Sequence, residues 1–280
     1  MQNRALENTI YVLAAGAFGV FLRWLQRQLA FDENGLCGPS VFNVIVPLFI
    51  IVTAFVLRRR IVKMLPLTRQ PEGFGSLENK GRIYGFFRWL TGAVAVLGGV
   101  LVIRGSEIEK QVVLLRVLSV LAILAGVCFP LYLTMANREI TEKKRDLICM
   151  LSLSPMLLFA AWLVYDYANN AINSVIWDYL IEVLAASSLL VAFFRLGGFA
   201  YGVVPWRKTI FWLQFAAFMS IVVLADGRDL GQQAIFLGCG LMLVLADFIL
   251  LRKFEDKDLA ELLREEEQKP KKPDGGFDRL

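Results

Sequence analysis

QVVLLRVLSVLAILAGVCFPLYLTMA, residues 111–136, carries one charge, Arg116, in 26 positions. As an α-helix it would extend about 39 Å at a rise near 1.5 Å per residue, more than the ~30 Å hydrocarbon core of a bilayer. The run is apolar on all sides and shows no polar alternation. It therefore suits a helix surrounded by lipid or by other helices better than a barrel strand with one wet face.

Working outward from it, seven further segments have the same character: Thr9–Leu29, Val41–Leu57, Ile83–Ile103, Leu147–Tyr165, Val175–Phe194, Thr209–Ala225 and Ala234–Leu251. The pattern predicts an all-α, polytopic transmembrane helical bundle of about eight spans. Composition agrees, since 57% of the 280 residues are hydrophobic and the mean hydropathy is +0.57, more apolar surface than a soluble core of this size can hide. Two regions are expected: residues 1–253 as the membrane domain and 254–280 as a cytosolic charged tail. The tail is rich in Glu, Lys and Leu to Lys269 and should continue the last helix, with PKKPDGGFDRL after it disordered. The first segment is too long for a simple signal peptide and reads as a retained span.

Glycine, proline and charge punctuate the connections, as in DENGLCGPS from Asp32, TRQPEGFGSLENKGR from Thr68 and DGRDLGQQ from Asp226. Lys and Arg are divided unevenly between alternate connections. The set that includes the termini holds 23, among them Arg58, Arg59, Arg60 and Lys63, whereas the other holds Arg27, Arg104, Lys110 and Arg228. The positive-inside rule then places both termini in the cytoplasm. Trp24, Trp89, Trp177 and Trp206 stand toward span ends, where an amphipathic ring prefers the interface.

Several functions lose support at this stage. The chain has no histidine, which removes the commonest metal ligand and near-neutral general base. Cys37, Cys128, Cys149 and Cys239 are too scattered for a disulfide framework or zinc motif, and the glycines near Gly73 lack a P-loop lysine. No cofactor or metal is expected, and no motif supports catalysis. The basic residues cap apolar runs instead of forming a basic domain, which argues against nucleic acid.

An ionisable group within a span calls for a partner, a wet cavity or an escape to the interface. Arg23, Arg116 and Glu182 should lie at similar depth under the outer surface, a candidate ligand-binding set whose excess positive charge would suit an anion or carboxylate. The plainer alternative is that the arginines snorkel and Glu182 pairs for structure. Arg88 and Asp247 should lie near the inner surface, as a structural ion pair across helices or with each group reaching the interface alone. Pro130 and Pro155 should kink their helices, and the small-residue clusters at Ala14, Gly98, Ala185 and Gly238 read as helix packing.

GAFGVFLRWLQRQLAFDENGL, from Gly16 to Leu36, resembles the opening of a group of uncharacterised multi-pass membrane proteins of Firmicutes-type bacteria. They are similar in ending the first helix on LR-aromatic-LQ, followed by a phenylalanine-acidic turn and GL. The resemblance implies a bacterial cytoplasmic membrane and an early outward-facing turn, and it carries no activity. Eight spans with almost no outer domain leave the bilayer interior as the main place for a site, which frames the expectation of a transport or permease-like component. The alternatives are a sensor or assembly partner acting through its tail, or an enzyme on lipid-linked substrates. The partners expected are the lipid bilayer and, through the tail, a membrane or cytosolic protein.

Overall fold

The computed structural model describes residues 4–31, 38, 40–64, 74–78, 81–105, 112–136, 142–170, 176–201 and 205–268. Cys37, the Trp177 side chain and the segment after Gln268 lie outside the described residues. Among the described residues eight α-helices follow one another: α1 (Arg4–Ala30), α2 (Phe42–Met64), α3 (Arg82–Gly105), α4 (Val112–Met135), α5 (Glu142–Asn170), α6 (Ile176–Gly197), α7 (Trp206–Val222) and α8 (Leu230–Gln268). The fold is all-α. Among the described residues seven helices are long and apolar enough to cross a membrane, and the chain is a multi-pass membrane protein. The one outside that group is α2, which contains Pro47 and whose apolar stretch closes at Arg58–Arg60.

Consecutive helices run antiparallel. Gln26 bonds Asn43 at one end of α1 and α2, and Glu7 pairs with Arg60 at the other, so α2 follows α1 along its length. The same reversal joins α3 to α8, where Tyr84 meets Arg252, Gly238 faces Ala95, and Gly231 faces Val102. Helices α3 to α7 pack in succession, and α8 closes the circuit by contacting both α3 and α7. Helices α1 and α2 lie against α7. Accordingly α7 and α8 are the most enclosed spans, with two thirds of their apolar windows buried.

The outer surface of the bundle is apolar. Phe18, Phe21, Ile51, Phe55, Val120, Leu124, Leu157 and Phe194 are all exposed, as side chains are when lipid replaces water as the neighbour. Inside, glycines set the helix spacing. A Cβ on Gly98 would come within 2.8 Å of the Gly231 carbonyl oxygen, and one on Gly238 within 2.6 Å of the Ala95 nitrogen. Side chains there would push α3 and α8 apart.

Proline has a specific place in this packing. Both α4 and α5 continue through Pro130 and Pro155. Pro130 has no N–H for the carbonyl one turn earlier, that of Gly126. That carbonyl lies against Gly92 of α3, in the space a Cβ would fill, and the Pro130 ring lies beside it. The tryptophans differ in what surrounds them. Trp24 and Trp89 are about half exposed, but Trp206 is buried between Phe199 and Phe254, because the extension of α8 past the last apolar turn covers it.

Candidate polar site at one end of the bundle

The buried charges concentrate at the end where α1, α5 and α7 finish and α6 and α8 begin. Arg23 projects from the last turns of α1 and is fully buried. Its Nε donates to Asp226 Oδ1 at 2.5 Å and its Nη1 to Gln26 Oε1 at 2.8 Å, with the guanidinium 6.0 Å from the Phe31 ring centroid. Gln26 in turn donates to Asn43 at 3.0 Å. Asp226 closes the single turn Val223–Asp226 after α7, and Gly227 follows at φ 67°, a left-handed conformation that glycine adopts without strain. Arg27 donates to the Asp226 carbonyl.

The second half of the cluster lies on α5 and α6. Glu182 is fully buried nearly two turns into α6; its Oε1 accepts from Trp162 Nε1 at 2.9 Å and its Oε2 pairs with Arg228. Asp166 of α5 stands beside Glu182 and is also buried, yet neither of its side-chain oxygens accepts a hydrogen bond; Asp226 Oδ2 lacks a donor too. Arg228 is the water-side member, with 26% of its side chain exposed. Burial alone would depress its pKa, but Glu182, Asp166 and Asp226 outweigh that and raise it, so the guanidinium holds its charge firmly. Gln232 of α8 reaches Tyr165 at 3.5 Å.

Arg23 and Glu182 therefore share one cluster, joined through Asp226 and Arg228 and not by direct contact. Arg116 does not join them. It lies on an exposed face of α4, a helix that packs on α3 and α5. The expected excess of positive charge is absent as well, because Arg23, Arg27 and Arg228 face Asp166, Glu182 and Asp226. Arg88 and Asp247 do not pair with each other. Arg88 donates to Thr134 of α4 at 2.9 Å, while Asp247 accepts twice from Gln214 of α7, at 3.1 and 3.2 Å. The two face different neighbours, since α3 meets both α4 and α8 whereas Asp247 points from α8 toward α7.

Asp166, Asp226 and Arg228 were not among the residues singled out from sequence. Each falls one to three positions past an apolar run and so reads as part of a connection. The available signal was the clustering of DGRD beside a span that ends at Ala225, opposite YDY at the close of another. Among the described residues no group of three His, Cys, Asp or Glu is placed to hold a metal ion. No family model, curated protein or solved structure matches this chain.

Proposed function

We propose that this protein is a transport or permease-like component of a bacterial cytoplasmic membrane, with both termini in the cytoplasm, and that its solute site is the polar cluster around Glu182. The observation that carries this reading is the burial of four charged side chains, Arg23, Asp166, Glu182 and Asp226, at one end of the bundle, with Arg27 and Arg228 beside them partly open to solvent. Ionisable groups in hydrocarbon are disfavoured by roughly 2.5 to 3.5 kcal/mol each on insertion scales, so such a concentration goes with a wet, functional region. The 23-to-4 division of Lys and Arg puts this end outside, where a solute would arrive. The Firmicutes-type resemblance of Gly16–Leu36 supports the bacterial setting.

The test is vesicle flux. Protein-dependent shrink–swell responses would be recorded for ammonium, guanidinium, acetate and glycine at equal osmolarity. At least one should permeate, and Glu182→Gln should abolish it in a chain that still inserts. Impermeability to all four sinks the proposal. A second reading, partner binding through the tail, is favoured by the continuation of α8 to Gln268. Deleting residues 256–280 should leave flux intact under the first reading and remove the cellular phenotype under the second.

A further inference from the structure

Asp166 is the least satisfied group in the cluster. It is 1% exposed, both carboxylate oxygens lack a hydrogen-bond donor, and the neighbouring carboxylate is that of Glu182. Buried carboxylate oxygens without donors are rare in folded proteins, because the loss of hydration is not repaid. A proton shared between the two acids would satisfy one oxygen and leave another bare. A metal ion needs more ligands than converge here among the described residues. What the site lacks is a cation bearing several N–H donors.

One such cation is already half in place. The Arg228 guanidinium pairs with Glu182 Oε2 and makes no hydrogen bond to Asp166, and its side chain is 26% exposed, so it reaches solvent from beside the two buried acids. Arg228 belongs to no helix, standing between the left-handed Gly227 and the start of α8. Gln233 Nε2 holds its carbonyl at 2.9 Å, so its backbone is anchored while its side chain can withdraw without breaking a helical hydrogen bond.

We infer that Asp166 and Glu182 form a binding site for a small organic cation with N–H donors, an alkylammonium or guanidinium group, and that Arg228 is the tethered occupant which the free cation displaces. The inference rests on the cluster being a solute site and specifies its ligand. Two adjacent carboxylates match the donors of such a head group, and the guanidinium already on Glu182 demonstrates the fit. Displacement moves Arg228 outward into water, where its charge is readily solvated, and leaves the charge of the site unchanged.

The test uses the full chain purified in detergent, with thermal unfolding followed against methylammonium, guanidinium and sodium chlorides at matched ionic strength and low millimolar concentration. Wild-type protein should show a saturable rise in Tm with methylammonium or guanidinium and none with sodium. Arg228→Ala should bind the same cation about tenfold more tightly, since the internal competitor is gone. Asp166→Asn should lose the response. The proposal is overturned by no saturable response in wild type, by an equal response to sodium, or by an unchanged response in Asp166→Asn. Rescue confined to Arg228→Ala also overturns it, because Arg228 is then only a structural ion partner. Should Arg228→Ala fail to fold, the wild-type and Asp166→Asn titrations decide the matter. Binding without vesicle flux removes the transport reading and leaves the ligand class standing; flux that these cations do not compete against does the reverse.

Discussion

Arg23 and Asp226 form the most enclosed ion pair among the described residues, with side chains 0% and 1% exposed. Removing one partner strands a charge out of reach of water, a change worth about 3–5 kcal/mol for buried pairs. Asp226→Leu should therefore lower the Tm of the purified protein sharply, and Arg23→Leu with Asp226→Leu together should do less harm than the two singles summed. Strict additivity in that cycle would mean the pair is not coupled. Arg116 gives the opposite expectation. Its exposed position on α4 predicts that Arg116→Gln leaves Tm and flux within error of wild type. Both arginines stood out in the sequence for one reason, a charge inside an apolar run, and nothing in that run distinguishes a paired arginine from a lipid-facing one. The difference depends on which face of the helix meets a neighbour, which is a property of packing.

Helix packing shows the same division between what sequence reveals and what it withholds. The long apolar runs placed every helix, and the small-residue clusters were readable as contacts, yet their partners were not. Gly92 stands alone between an arginine and an alanine-rich stretch, and its role depends on a carbonyl of α4 released by Pro130. Gly92→Val should force α3 from α4, with a loss of about 1–3 kcal/mol or more typical of overpacking. Gly85→Ala in the same helix is the control, because nothing lies within 4 Å of the added Cβ and helix propensity favours alanine. A matched fall in stability for both variants would show that the loss at Gly92 does not come from contact with Gly126.

At the scale of the whole molecule, α2 decides the topology. Seven crossings would leave the termini on opposite sides of the membrane and eight would leave them on the same side, so parity turns on whether Phe42–Met64 crosses. Three observations favour crossing. The helix has 23 residues, about 34 Å at helical rise, enough for the hydrocarbon core. Its contacts with α1 occur at both ends, Asn43 with Gln26 and Arg60 with Glu7, so it does not turn aside along a surface. Its outward face is apolar at Val44, Leu48, Ile51 and Phe55, and the basic residues gather at the end beside the start of α1. Arg60 also stacks 4.4 Å from the Tyr11 ring centroid, which holds that end in register with α1. Fluorescent-protein fusions at the two termini should therefore both fluoresce in the cytoplasm, and a phosphatase fused within Gly227–Asp229 should be active outside. One dark terminus beside one bright one would mean that α2 lies in the membrane without crossing it. The cluster of Arg23, Glu182 and Arg228 would then have to be assigned its side of the membrane afresh, since the charge asymmetry that places it outside assumes eight crossings.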